Sequence, residues 1–307
     1  MIAMPHSAGG DLTSLLASLP DPSSEVIEDA RRLDAWFTGR GRVLIAYSGG
    51  VDSALVAFAA RRTLGREGTL AVIADSPSLP RRELEAALAF ASGHDIPCRT
   101  VPTTEGEQPD YIANGPDRCY WCKRELYTIL STRFDGGRWD LVVNGTNADD
   151  PGEWRPGLRA AEQWRVASPL LECGLGKERV RALARTLGLE VWDKPAAPCL
   201  ASRIPYGSAV TPARLAVVEA AEEVLRAEGM RVFRVRHLGG TARVELGVEE
   251  LARLEEPGRL ERITAGVRAA GFTEVLLDPA PLRSGRLNEE PAPDLVSVRG
   301  PGPGEEP

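Results

Sequence analysis

The chain has 307 residues, enough for two domains and a sizeable core. Hydrophobic residues make up 43% and charged residues 26%, the balance of a soluble globular protein, with no apolar run near a membrane span and no basic-then-apolar leader. A formal net charge of −7 argues against bulk nucleic-acid binding, and an odd count of five cysteines argues against a disulfide framework and for a reducing cytoplasm.

Residues 1–22 mix Gly, Ser and Pro with few large side chains and are expected to be a flexible arm. Ser24 to Phe37 has the apolar spacing of a helix, with Val26, Ile27, Leu33 and Phe37 on one side and Ser23 or Ser24 as its cap. Val43 to Tyr47 is a short apolar run that predicts a buried strand. Ser48-Gly49-Gly50 follows, then an Ala- and Leu-rich helical run, Ala54 to Ala60, with Arg61, Arg62 and Gly65 beyond it. Thr69 to Ala74 is a second strand, ending at Asp75-Ser76. Arg81 to Ser92 is a helix closed by Gly93, because Leu84, Ala87, Leu88 and Ala91 repeat at helical spacing. Pro97 to Val101 is a third strand, Lys123 to Phe134 a helix, Asp140 to Asn144 a fourth strand and Lys177 to Leu187 a helix.

Apolar strands alternating with helices predict an α/β domain, a parallel sheet covered on both faces. Ligands of such sheets bind beyond the carboxyl ends of the strands. The polar tips Ser48-Gly49-Gly50, Asp75-Ser76 and Asn144 to Asn147 should therefore line one crevice. The pattern then changes. Thr211 to Glu228 is a helix with Pro212 at its first position. Met230 to His237 and Thr241 to Leu246 read as a hairpin around Gly239-Gly240. Glu250 to Ala270 is helical but broken near Pro257-Gly258, and Thr273 to Leu277 is a last strand. The expected organisation is an arm (1–22), the parallel-sheet domain (23–195), a smaller C-terminal α+β domain (196–288) and a disordered tail (289–307).

Ser48-Gly-Gly-Val-Asp-Ser53 joins a strand to a helix. Glycines let the backbone approach a ligand, and the helix start favours an anion. The hexapeptide resembles the PP-loop of the ATP pyrophosphatase superfamily, which holds the pyrophosphate leaving group when ATP is split. The resemblance implies that Ser48, Gly49, Gly50, Asp52 and Ser53 hold pyrophosphate and magnesium, with Asp75 and Ser76 framing the rest of ATP. Asn144-Gly145-Thr146-Asn147-Ala148-Asp149-Asp150 offers amides, a hydroxyl and carboxylates for a ribose or a magnesium ion. Turn and helix-cap chemistry accounts for the same residue types.

Pro198-Cys-Leu-Ala-Ser-Arg203 sets a cysteine between proline and an apolar residue, four positions before an arginine. Arg203 could lower the Cys199 pKa or hold an anion beside it, or Cys199 could be a small buried hydrophobe. Lys194 to Arg203, with the PP-loop and the Asn144 to Asp150 segment, resembles the ATP-dependent sacrificial sulfur transferase (LarE) family. The likeness runs from about Trp36 to Asn288 and includes Arg155-Pro-Gly157 and Arg283 to Asn288.

That resemblance implies an enzyme that adenylates a carboxylate of a pyridinium dicarboxylate mononucleotide, releases pyrophosphate and inserts sulfur. The product is a thiocarboxylate on the route to the nickel-pincer nucleotide cofactor of lactate racemase-type enzymes. In single-cysteine members, the residue matching Cys199 gives up its own sulfur and becomes dehydroalanine. This chain adds Arg118-Cys-Tyr-Trp-Cys-Lys123 ahead of a helix. Cys119, Cys122 and Cys199 could ligate a [4Fe–4S] cluster with one open iron for a sulfide, as in three-cysteine members. The pair could otherwise be a zinc site short of ligands, a redox dithiol or two inert thiols. Cys98 is assigned to the core, and Cys173 has no assigned role. Arg234, Arg236 and Arg243 form a basic cluster suited to a substrate phosphate or to an exposed strand face. A homo-oligomer and an external sulfur donor are further implications. The rivals are a PP-loop tRNA thiolase, an amide-forming ligase related to NAD synthetase, and an ATP-sensing module.

Overall fold

Four stretches, Val43–Ala46 (β1), Thr69–Asp75 (β2), Cys98–Pro102 (β3) and Leu141–Val143 (β4), build one sheet in a computed structural model of the chain. The strands run parallel in the order β3-β2-β1-β4, with Val43 opposite both Thr69 and Leu141. The residues described are 10–134, 139–150, 156–282 and 296–297. They divide into two units: Met1–Ser76, Arg81–Glu105 and Asp117–Ala196 form the first, and Pro77–Pro80, Gly106–Pro116 and Ala197–Pro307 the second.

In the first unit the central strand β1 is buried along its whole length. That is why its residues are apolar without alternation: both faces are covered. The helices in chain order are Leu12–Leu16 (α1), Ser24–Phe37 (α2), Val51–Leu64 (α3) and Arg81–Gly93 (α4). The short Pro109–Ile112 (α5) lies in the second unit; Arg118–Arg133 (α6), Pro156–Gln163 (α7), Pro169–Glu172 (α8) and Lys177–Thr186 (α9) return to the first. One layer of the core joins Leu44, Leu70 and Val72 of the sheet to Leu126, Tyr127, Ile129 and Leu130 of α6.

The parallel sheet and its helices match the α/β reading, and a second, smaller sheet is present. Three details differ. The arm assigned to residues 1–22 contains α1, whose Leu12 and Leu16 are fully buried. The cause lies on α2: the buried Asp34 carboxylate accepts from the Leu12 and Thr13 N–H groups at 2.9 and 2.8 Å, stabilising an otherwise frayed helix start. Helix α3 begins at Val51, directly after the glycines. Helix α6 begins at Arg118, so Cys119 and Cys122 sit in its first turn instead of ahead of it.

In the second unit, Pro212–Ala227 (α10) packs on Phe233–Leu238 (β5), which pairs antiparallel with Thr241–Leu246 (β6). Val248–Arg253 (α11) and Arg259–Ala269 (α12) are separated at Pro257-Gly258, where Gly258 has φ +77°. Glu274–Leu277 (β7) runs parallel to β6, giving the order β5-β6-β7-β8 with Val296–Ser297 (β8) at the edge. β8 falls in the stretch 289–307 expected to be a disordered tail, yet Val296 and Ser297 pair with Leu277 and Leu276. Arg155 and Arg283 to Asn288 lie outside the described residues.

Candidate active site

Beyond β1 the chain turns over Gly49, which has φ +72°. A Cβ there would lie 2.5 Å from the Ala87 Cβ of α4, so only glycine lets the loop lie this close. The loop is braced from inside. Ser53 Oγ accepts from the Ser48 N–H at 3.2 Å, lies 3.0 Å from Ser48 Oγ and donates to the Gly50 carbonyl at 3.1 Å. Gly50 is the N-cap of α3 and supplies no side chain to occupy the first N–H groups of that helix. Such donors, with the helix dipole behind them, favour an anion.

The β4 tip reaches the same place. A Cβ on Gly145 would lie 2.6 Å from the Ser53 backbone nitrogen, so this glycine admits the tip against α3. Asn147 then donates from Nδ2 to Asp52 Oδ1 at 3.1 Å, and its N–H donates to Asp150 Oδ2 at 3.0 Å. Asn144 Oδ1 accepts from the Thr146 N–H at 2.9 Å and from Ser168 Oγ at 3.0 Å. Asp149 accepts from the Lys177 N–H at 2.7 Å, capping α9. Of the acidic residues in this stretch, Asp149 thus has a structural task, while Asp150 lies beside the loop aspartate.

Burial raises the pKa of Asp52; the Asp150 charge adds to this, and the Asn147 hydrogen bond opposes it. A divalent cation would relieve both effects, and Mg²⁺ characteristically takes one or two carboxylates plus substrate phosphates. Asp52 with Asp150 fits that donor set. Among the described residues no three His, Cys, Asp or Glu side chains converge on a metal position.

Asp75, at the end of β2, pairs with Arg81 at 2.5 Å, and Arg81 also donates to the Ser76 carbonyl at 2.8 Å. Arg81 went unnoticed in the sequence; its signal was a basic residue at a helix start, where the dipole disfavours it. The three polar tips thus follow adjacent strands β2, β1 and β4 of the first unit.

Cys199 belongs to the second unit and is partly exposed at the start of a tight turn over Leu200–Arg203. The Leu200 N–H donates to the Ser78 carbonyl at 2.8 Å. Arg203, 4% exposed, donates from Nε and Nη2 to both oxygens of the fully buried Glu222 at 2.8 and 3.1 Å. Its Nη1 donates to the Pro198 carbonyl at 2.6 Å and the Cys199 carbonyl at 3.3 Å. The anion that Arg203 holds is thus the internal Glu222 carboxylate, and its remaining donors hold the backbone around Cys199.

Asn114 was also missed. It is fully buried at φ +56°, and its Nδ2 lies 3.2, 2.8 and 2.9 Å from the carbonyls of Ile204, Pro205 and Ser208. The sequence signal was Asn114-Gly115-Pro116, a turn signature whose asparagine tolerates the left-handed region.

The basic cluster divides. Arg236 is buried, with Nε donating to Glu245 at 3.0 Å and Nη1 to the Ser202 carbonyl at 2.7 Å. Arg243 is buried against Asp278 at 3.1 Å. Both are internal ion pairs, which corrects the expectation that they offer their charge to a substrate phosphate. The Arg234 side chain forms no ion pair or hydrogen bond among the described residues; burial and then the charges of Arg236 and Arg203 lower its pKa. An anion beside Arg234 would remove that conflict.

All five cysteines are described and none forms a disulfide. Cys119 and Cys122 are three residues apart on α6, the spacing that sets two side chains on one face of a helix. They belong to the first unit and Cys199 to the second.

The NAD synthase family model matches residues 37–108, the segment from the end of α2 to beyond β3 that includes the loop. An uncharacterized protein of Synechocystis sp. is 41% identical over 256 residues, 83% of this chain and 95% of its own. Pyridinium-3,5-bisthiocarboxylic acid mononucleotide synthase of Lactiplantibacillus plantarum is 34% identical over 254 residues, 81% of this chain and 89% of its own. The chain belongs to the LarE sulfur transferase family. This LarE-family chain is therefore an ATP-using, sulfur-transferring enzyme. A glutamine-dependent NAD(+) synthetase of Synechocystis sp. is 33% identical over only 31% of this chain and 18% of its own. That likeness is confined to one part of the molecule, whereas the likeness to the synthase extends over both units. No helix among the described residues is long and apolar enough to cross a membrane.

Proposed function

We propose that this chain adenylates a carboxylate of pyridinium-3,5-dicarboxylate mononucleotide and replaces AMP with sulfur, in nickel-pincer nucleotide biosynthesis in the cytoplasm. The observation that carries the reading is the 34% identity to the mononucleotide synthase across 89% of that protein. Ser48, Gly49, Gly50 and Ser53 hold the pyrophosphate of ATP, and Asp52 with Asp150 holds Mg²⁺. Asp75, Ser76 and the Asn144 to Asp149 tip frame the nucleoside. A substrate carboxylate oxygen attacks the α-phosphorus, the bond to the β-phosphate oxygen breaks, and pyrophosphate leaves. The acyl-adenylate is then open to a sulfur nucleophile, because AMP is a good leaving group.

Two sulfur sources fit the residues. In the sacrificial route the Cys199 thiolate attacks the acyl carbon and expels AMP. Loss of the Cys199 α-proton then breaks its Cβ–S bond, which leaves dehydroalanine in the chain and the thiocarboxylate on the product. In the cluster route Cys119, Cys122 and Cys199 hold a [4Fe–4S] cluster, which would supply a sulfide bound at its open iron. The one-turn spacing of Cys119 and Cys122 favours the cluster route. Arg234 is the side chain best suited to the mononucleotide phosphate.

The test is a reaction with ATP, Mg²⁺ and the dicarboxylate mononucleotide, followed by pyrophosphate release and thiocarboxylate formation. Pyrophosphate release that survives Cys199→Ala while thiocarboxylate disappears supports the reading. Undiminished thiocarboxylate in that variant overturns it. Anaerobic purification separates the routes: brown protein containing iron and sulfide supports the cluster, and colourless protein that loses hydrogen sulfide from Cys199 in one turnover supports the sacrificial thiol. Bulk tRNA binding at physiological salt would instead favour a tRNA thiolase.

A further inference from the structure

Lys194 follows α9 in the first unit and is 20% exposed. Its ammonium donates to the Gly49 carbonyl at 3.0 Å and pairs with Glu83 at 2.6 Å. The backbone that carries it is held in turn: Arg181 donates to the Trp192 carbonyl at 2.6 Å and the Lys194 carbonyl at 2.7 Å. Glu83 lies in the first turn of α4, the helix whose Ala87 excludes any side chain at Gly49. The Lys194 ammonium and helix α4 thus both bear on one peptide unit, Gly49–Gly50.

No peptide bond among the described residues is cis. In a trans peptide the carbonyl of one residue and the N–H of the next point in opposite directions. Fixing the Gly49 oxygen on Lys194 therefore turns the Gly50 N–H the other way. Within the protein that N–H has a 3.5 Å approach to Ser48 Oγ, the outer limit of a hydrogen bond. A glycine flanking this peptide lets it rotate at low steric cost. Rotated, it would offer phosphate a carbonyl oxygen in place of a donor.

We infer that Lys194 is a positioning residue for the ATP pyrophosphate: it holds the Gly49 carbonyl so that the Gly50 N–H stays presented to the β- and γ-phosphates. This rests on the reading that the loop grips pyrophosphate. A direct charge contact between Lys194 and phosphate is the competing account. The two differ in what they require. Positioning requires a donor to the Gly49 carbonyl; a charge contact requires the ammonium itself.

The experiment measures pyrophosphate and AMP affinity, with Mg²⁺, for the full-length protein and for Lys194→Met, Lys194→Gln and Lys194→Arg. The expected result is pyrophosphate affinity about tenfold weaker in Lys194→Met, since a hydrogen bond to a charged group is at stake, with AMP affinity unchanged. Lys194→Gln, which keeps a donor without the charge, recovers most of the loss. Pyrophosphate binding by Lys194→Met equal to wild type overturns the inference, as does Lys194→Gln binding as weakly as Lys194→Met. Should Lys194→Met fail to fold, Gln and Arg variants of similar affinity support positioning, and a Gln variant far weaker than the Arg variant overturns it. A wild-type protein that binds no pyrophosphate removes the underlying functional reading, and this inference with it.

Discussion

Gly145 stands against Ser53 so closely that a methyl group on it would meet the backbone of α3: Ser53 N at 2.6 Å, Ser53 Cα at 2.9 Å and the Asp52 carbonyl carbon at 3.1 Å. None of these atoms belongs to a side chain that can swing away. Gly145→Ala is expected to cost about 1–3 kcal/mol of stability by overpacking, and to raise the KM for ATP as the β4 tip is pushed off α3. Urea denaturation and an ATP titration of the same protein check both effects.

Arg203 and Glu222 are a buried pair, and removing Arg203 leaves the buried carboxylate to Arg226 at 3.6 Å and the Val235 N–H. Arg203→Met is expected to destabilise the protein by about 3–5 kcal/mol. The double variant Arg203→Met with Glu222→Gln should cost less than Arg203→Met alone, because the buried carboxylate is gone. A double-mutant cycle by chemical denaturation measures the difference; strict additivity would contradict the pairing.

Asn114 closes three carbonyls of the loop that follows Cys199. Asn114→Ala removes those bonds and leaves alanine at positive φ, for an expected loss of about 2–4 kcal/mol. Asn114→Gly accepts the φ but not the bonds and should fall between. In both variants thiocarboxylate formation is expected to drop more than pyrophosphate release, which the proposed function assigns to the first unit; parallel assays of the two products check this.

Burial pushes the Cys98 and Cys173 thiols up to about 11. The thiolate is the reactive form, so at pH 8 each is expected to hold on the order of one part in a thousand as thiolate. The sign follows: their alkylation should quicken about tenfold per pH step from 8 to 10, then level off near 11. Cys119 is exposed and should be modified by iodoacetamide well before either at pH 8. Mass spectrometry of timed digests of metal-free protein reads the order.

The first unit was largely legible because its signals are local. Unbroken apolar runs marked β1, β2 and β4, and Ser48 to Ser53 marked the turn from β1 into α3, with Gly49 where the backbone needs it. Less legible were the contacts whose partners are far apart in sequence. Nothing near Leu12 announces that Asp34 will cap α1, and nothing near Cys199 announces Asn114 or Ser78. Arg236 and Arg243 misled for the same reason: the pairing of Arg236 with Glu245 emerges only once β5 lies beside β6, and that of Arg243 with Asp278 only once β7 lies beside β6. The pair Cys119 and Cys122 was found by spacing alone, while its place inside α6 was hidden because the aromatic residues between them weaken the helical pattern.

The boundaries of the units, after Ser76, Pro80, Glu105, Pro116 and Ala196, mean that the chain passes from one to the other five times. As the polypeptide leaves the ribosome, Ser78 and Asn114 emerge long before the loop they will hold around Cys199. Those early segments must wait, unengaged, while the first unit completes itself. Cutting the gene at Ala196 would therefore not yield two self-sufficient halves: the leading piece would carry two strips of surface meant for the trailing one, and the trailing piece would lack the shelf on which its cysteine rests.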